Sequence, residues 1–169
     1  MVHSIELVFD TTVETAVRDI WSTLARHDLR SPAPGSRPHA TLTVAERIDD
    51  AVHEALAPLT ERLPLPCVIG APLIFGRGRA VLARLLIPSG ELLELHAAVY
   101  RGSLPHLTPG PMPHTEPGQW TGHVTLARRV GPDQLARAVE LAGRPTEITG
   151  SVVGLRHWYG DKRIERLIG

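Results

Sequence analysis

His39-Ala40-Thr41-Leu42 recurs 84 positions later as His123-Val124-Thr125-Leu126. Side chains of an extended strand alternate between faces, so His and Thr, two apart, share one face. Ala40 and Leu42, or Val124 and Leu126, occupy the other face and can be buried. Two such strands bordering one cleft would offer two imidazoles and two hydroxyls to one small anion. That set suits acid–base chemistry at a phosphate.

The shorter pattern His-x-Thr is weak evidence. With nine His and 13 Thr in 169 residues, about one match is expected by chance. His106-Leu107-Thr108 is such a match, and Pro109 after it predicts a position outside a paired strand. Leu is 22 of the 169 residues, so requiring it at the fourth position lowers the chance expectation to about 0.1. Two full tetrads, one in each half of the chain, therefore point to an internal duplication.

The first tetrad follows Ser31–Pro38, a loop with three Pro and one Gly. Before it, 4–9 alternates as a strand. Val13, Val17, Ile20, Trp21 and Leu24 predict an amphipathic helix over 12–26, with N-cap candidates at Asp10-Thr11-Thr12. After the strand at 39–44, a second helix is expected over 46–62, with Pro58 marking a kink or early stop. Apolar runs at 66–75 and 79–87, joined by Gly76-Arg77-Gly78, read as a hairpin. A helix from Pro88-Ser89-Gly90 to about 101 and a proline-rich loop over 103–118 precede the second tetrad, on a strand over 119–128. A helix from Gly131-Pro132-Asp133 to Gly143 and strands at 147–158 and 162–168 complete the chain.

The order is β-α-β-α-β twice, with a tetrad on the second strand of each unit. The expected fold class is α+β, a bilobal pseudo-symmetric duplication whose sheets line a central cleft with helices outside. One domain over 1–169, with lobes of about 1–76 and 77–169, accommodates that order.

Composition bounds the function. Hydrophobic residues are 43% and charged residues 21%, with a net charge of zero and a pI near 7.1. That balance argues against broad electrostatic binding to long nucleic acid, though it permits a local basic cleft. The single cysteine, Cys67, sits in an apolar run and reads as a buried thiol. No run is long or apolar enough for a membrane span. The N-terminus lacks a basic leader and cleavage site, so a cytoplasmic protein without a membrane partner is expected. No Cys/His spacing or acidic array predicts a metal site, and no Gly-rich phosphate loop is present.

With both tetrads in these contexts (Arg37-Pro38-His39-Ala40-Thr41-Leu42 and Gly122-His123-Val124-Thr125-Leu126-Ala127-Arg128), the chain resembles the 2H phosphoesterase superfamily. The nearest likeness is the 2′-5′ RNA ligase and cyclic nucleotide phosphodiesterase group. The resemblance covers essentially the whole chain. It implies His39, Thr41, His123 and Thr125 as the catalytic set, no obligatory cofactor or metal, and a ligand that is a small nucleotide or RNA end carrying a cyclic phosphate. It also matches Arg128 to a basic residue that many relatives carry five positions after the second His. No obligate protein partner is implied, and a monomer is the default.

For such a substrate one His acts as general base on water and the other as general acid on the leaving oxygen. His123 as base and His39 as acid is the assignment adopted, although the repeat does not distinguish them. The threonine hydroxyls would bond the non-bridging oxygens. By alternation Arg128 falls on the face opposite Thr125 unless a bulge intervenes. Arg37 is a candidate for the groove mouth. Trp120 is either a stacking platform for a base or a core aromatic, and Trp158 and Tyr159 pose the same choice. His53 and His96 read as surface or boundary residues on helices. Hydrolysis of 2′,3′-cyclic phosphates leads; 2′-5′ RNA ligation and a non-catalytic nucleotide- or RNA-binding module are the alternatives.

Overall fold

The structure is a computed structural model that describes residues 2–33 and 35–169. Strand β1 (His3–Phe9) is buried along its whole length. Asp10 then caps helix α1 (Thr11–Arg26): its Oδ1 accepts the Val13 N–H at 2.9 Å, and its Oδ2 accepts the Ser151 N–H at 2.7 Å. Val13, Val17, Ile20, Trp21 and Leu24 form the buried stripe that the periodicity predicts. The first tetrad opens β2 (His39–Ala45).

The helix expected over 46–62 is corrected. That stretch holds a two-residue strand β3 (Arg47–Ile48), a short helix α2 (Val52–Leu56) and a 3-10 turn over Ala57–Arg62. Pro58 lies in the first turn of that 3-10 segment. Its missing N–H and fixed φ suit a new start and not a helix interior. The hairpin β4 (Leu65–Phe75) and β5 (Ala80–Leu86) is as read, with Gly76 and Gly78 at φ +85° and +77°.

Helix α3 (Gly90–Ser103) follows an N-cap at Ser89. The loop expected over 103–118 contains a 3-10 turn at Leu104–His106 and strand β6 (Leu107–Thr108), which pairs β3. Leu107 and Thr108 are thus paired after all, but only until Pro109 removes the next donor. Strand β7 (His123–Val130) starts later than expected, at the second tetrad itself. Helix α4 (Leu135–Ala142), β8 (Ile148–Tyr159) and β9 (Ile164–Ile168) complete the chain.

The main sheet runs β1-β2-β7-β5-β4-β8-β9, and β8 also pairs β1, so six antiparallel strands close on themselves with β9 outside. Two units, β1-α1-β2-α2-β4 and β5-α3-β7-α4-β8, are related through exchanged strands. The last strand of each unit pairs the first strand of the other: β8 with β1, and β4 with β5. Helices cross over likewise, α1 packing on α4 and β7, and α3 on α2 and β2. A division near residue 76 therefore falls in the turn of the β4–β5 hairpin. Both halves of the sheet draw on both halves of the chain, because each unit pairs its last strand with the first strand of the other. The fold is α+β with helices outside and a cleft between the sheet halves. No helix among the described residues is long and apolar enough to cross a membrane. Cys67 is buried, and burial pushes its thiol up to about 11.

Behind β1 and β8, on the side facing α2, three imidazoles form a row. His3 Nδ1 lies 3.2 Å from His157 Nε2, and His157 Nδ1 lies 3.0 Å from His53 Nε2. Burial, with the neighbouring imidazoles, pushes His157 down to about 4. Its unfolded value of about 6.5 is higher, so between those values the unfolded chain binds more protons. Stability is full above about pH 6.5 and falls as pH drops toward 4, by about 3 kcal/mol from this group. Urea unfolding in EDTA-containing buffer between pH 7.5 and 4.5 checks this. His157→Gln should flatten the dependence, and an unchanged slope would refute the assignment.

Candidate active site

The tetrad strands meet at one bridge, Ala40 opposite Val124. Antiparallel register through that bridge sets His39 across from Thr125 and Thr41 across from His123, all on one face. Past it, each strand bonds a loop instead of the other strand: Met112 N–H to Val44 O and Arg128 N–H to Arg30 O, both 2.8 Å. Each strand is also held by an indole. Trp21 Nε1–H donates to Thr125 O at 3.0 Å, and Trp120 Nε1–H donates to Thr41 O at 2.8 Å.

Both histidines are oriented the same way. His39 Nδ1 lies 2.9 Å from Arg37 O, and His123 Nδ1 lies 2.7 Å from Thr121 O. A carbonyl only accepts, so each Nδ1 carries a proton and each Nε2 is the atom left for chemistry. A cavity of about 640 Å³ is lined by His39, Thr41, Glu6, Arg37, Arg128 and Arg156, among others. A smaller one, about 220 Å³, is lined by His39, Thr125 and Arg128.

Arg128 reaches the cleft because of a bulge. The register of β5 against β7 shifts between Leu82 (opposite Ala127) and Ala83 (opposite Thr125). Leu126 and Ala127 consequently both face the core, and residue 128 returns to the face of Thr125. The first tetrad has the same bulge, between Ile5 (opposite Thr43) and Glu6 (opposite Thr41), with Leu42 and Thr43 both buried. The position matching Arg128 is there Val44.

This replacement is one of several that make the two sides chemically unequal. Glu6 lies opposite Thr41 and Arg156, whereas Ala83, its counterpart, lies opposite Thr125 and Leu73. Around His39 the wall is polar. Its Nε2 is 3.7 Å from Glu6 Oε1, which accepts from Ser4 Oγ at 2.5 Å. Glu6 Oε2 takes Arg156 Nε–H at 2.7 Å, and Arg156 also pairs with Glu165. Around His123 the wall is apolar, with the Phe75 ring 4.6 Å from the imidazole. Burial pushes His123 below the ordinary histidine range. The Thr121 carbonyl opposes this, and the charges of His39 and Arg128 add to it.

Among the remaining expected residues, Arg37 lines the larger cavity but is paired with Glu14 at 2.5 Å. Of its two readings, Trp120 has the surroundings of a core aromatic. Its ring stacks on His96 at 4.2 Å and packs on the core, and it lines neither cavity. His96 is itself buried, bonded to Thr115 O at 2.9 Å, and is no surface residue. Trp158 lines the larger cavity, whereas Tyr159 is buried on the opposite face. The sequence reading missed Glu6, Arg156 and Phe75. Ser4 and Glu6, two apart on an otherwise apolar strand, were the available signal for a polar cleft face.

A model of the 2′-5′ RNA ligase superfamily matches residues 9–163. Three solved structures share the fold. The Thermus thermophilus protein TT0787 is 16% identical over 100% of this chain and 96% of its own, with a TM-score of 0.61. E. coli LigT, complexed with 3′-AMP, is 15% identical over 98% and 91%, at 0.59. Usb1 of Kluyveromyces marxianus is 12% identical over 99% and 97%, at 0.54. No curated protein sequence matches the chain.

An NMR titration of the imidazoles should place the His123 midpoint below 6.5, its ordinary value. Phe75→Ala lets water reach the ring and should raise that midpoint. A wild-type midpoint at or above 6.5, or one that Phe75→Ala does not raise, would contradict the apolar-wall account.

Proposed function

From the membership of this chain in the 2′-5′ RNA ligase superfamily, among the 2H phosphoesterases, we propose that it hydrolyses 2′,3′-cyclic phosphates of nucleotides or RNA ends. The observation that carries the reading is the matched pair of Nδ1 bonds to the carbonyls of Arg37 and Thr121. These leave both Nε2 atoms free on the shared face of the paired tetrad strands, the arrangement an acid and a base acting on one phosphorus require. The structures of LigT with 3′-AMP and of Usb1 with uridine monophosphate support a nucleotide-sized ligand for this groove.

His123 is the base. Its apolar wall favours the neutral imidazole, whose Nε2 takes a proton from water as the water oxygen bonds phosphorus. His39 is the acid. Its Nε2 lies 3.7 Å from Glu6 Oε1 on the polar wall, and Nε2–H passes its proton to the ribose oxygen as the P–O bond breaks. The ring opens to a phosphomonoester and a free hydroxyl, and the two histidines have exchanged protonation states. Thr41 and Thr125 donate to the non-bridging oxygens, where charge develops. Arg128, on the bulged face, adds a charge-assisted bond to the phosphate. With a ribose hydroxyl in place of water as the nucleophile, the same groups open the cyclic phosphate to a phosphodiester, the ligase-like outcome.

The test is incubation with a 2′,3′-cyclic nucleotide and with an RNA oligomer ending in a cyclic phosphate, in EDTA. His39→Ala and His123→Ala should each lower kcat by about 10²–10⁴. Thr41→Val and Thr125→Val should cost about 10²–10³. The acid limb of the pH–rate profile should lie below pH 6.5, where His123 gains its proton. The isomer of the product phosphate identifies the oxygen that leaves. No turnover on either substrate, or turnover that survives both His substitutions, would refute the reading and favour a binding module.

A further inference from the structure

Away from the cleft, we infer that Asp50, His53 and His157 form a binding site for one divalent transition metal of the zinc class. Their ligand atoms, one from each residue, lie within 4.8 Å of one another. The residues come from the turn before α2, from α2 itself and from β8, so no local sequence spacing reveals them. The site is on the back of the sheet. On β8, Arg156 and Trp158 line the cleft, whereas His157 and Tyr159 alternate to the other face, beside His3 of β1.

The hydrogen bonds fix the tautomer that a metal needs. Ile48 N–H donates to His3 Nδ1 at 3.3 Å, so that nitrogen is an acceptor. His3 Nε2 then carries its proton and donates to Asp161 Oδ1 at 3.0 Å. His157 Nε2, 3.2 Å from His3 Nδ1, must be the donor of that contact. The lone pair of this fully buried imidazole is therefore on Nδ1, directed at His53 Nε2 3.0 Å away. Metal ligands held by an outward chain of imidazole and carboxylate have this arrangement.

The spacing also suits the ion. Tetrahedral zinc with Zn–N bonds of about 2.05 Å separates two ligand nitrogens by about 3.3 Å, so the His53–His157 pair need open only slightly. On binding, the His53 proton moves from Nε2 to Nδ1 and no net charge is lost. A carboxylate oxygen of Asp50 is the third ligand, and water completes the shell. Tyr159 O–H, 2.8 Å from Asp50 Oδ1, orients that carboxylate. Two imidazoles and one carboxylate select a first-row transition metal over magnesium or calcium. The exposed Arg166, 3.6 Å from Asp50 Oδ2, competes for the carboxylate and keeps the affinity moderate. The ion would tie α2 to β8 and β1 and stabilise the fold.

The experiment uses the full chain carrying His39→Ala and His123→Ala, so that the cleft contributes no ligands. Zn²⁺ is titrated calorimetrically, thermal unfolding is followed with and without it, and Co²⁺ is added for its visible spectrum. One equivalent of Zn²⁺, a raised Tm and a tetrahedral Co²⁺ spectrum are expected. His53→Ala and Asp50→Asn, at incompletely buried positions, should each weaken Zn²⁺ binding by at least about 10-fold, and Asp161→Asn by about 10-fold through the outer chain. No binding by the folded protein would overturn the site. So would Zn²⁺ affinity unchanged in both ligand variants, or an octahedral Co²⁺ spectrum with no change in Tm.

Discussion

The bridge between Ala40 and Val124 is the constraint on which the cleft depends. It is the one pairing of β2 with β7, and it joins the middle residues of the two His-x-Thr triplets. A one-residue slip would turn every tetrad side chain to the other face, burying the imidazoles and exposing Leu42 or Leu126. Those leucines are fully or nearly fully buried in a continuous core. At about 1.5–3 kcal/mol for each large apolar side chain, the core resists that slip. The indoles of Trp21 and Trp120 add a directional restraint, because each donates to a carbonyl of the strand that carries the opposing threonine.

The duplicated backbone does not produce duplicated chemistry. Both tetrads share the burial alternation, the bulge after Thr and the Nδ1 bond to the carbonyl two residues back. What differs is the next layer: Glu6 against Ala83, Arg156 against Leu73, Trp158 against Phe75 and Arg128 against Val44. A symmetric pair of histidines has no preferred direction for moving a proton. Burial of His123 against the Phe75 ring, which holds it below the ordinary histidine range, supplies that preference. The asymmetry is a property of β1, β4, β5 and β8, and not of the tetrads.

This division explains what the sequence made legible. His39, Thr41, His123 and Thr125 could be placed on shared faces because strand period and the tetrad repeat are local signals. The element order followed from local periodicity for the same reason. The exchange of β4 and β8 between units was hidden, because pairing partners lie far apart in the chain. Residues 46–62 misled through an apolar stripe compatible with a long helix, although Pro58 marked the place where it fails. Arg128 was undecidable from alternation, since its orientation depends on a bulge set by the partner strand. Trp120 and His96 are a joint case: an indole and an imidazole support each other only once α3 and the segment before β7 are packed together.

Strand β8 carries two different solutions to the burial of polar groups on its two faces. On the cleft side, Arg156 and Glu6 are a buried ion pair, and such a pair is seldom favoured over apolar residues of equal volume. It is tolerable here because Ser4, Arg156 and Glu165 satisfy the oxygens and guanidinium nitrogens involved. Its place beside His39 makes that wall of the cleft polar. On the back, one residue further along, His157 joins a row of imidazoles whose protons can all be assigned with every ring neutral. A neutral, fully hydrogen-bonded row costs far less to bury than separated charges. It also leaves one lone pair facing a second nitrogen and a carboxylate. Because β8 spans both halves of the sheet, anchoring its back face to α2 also fixes Arg156 and, through Glu6, the polar wall of the cleft.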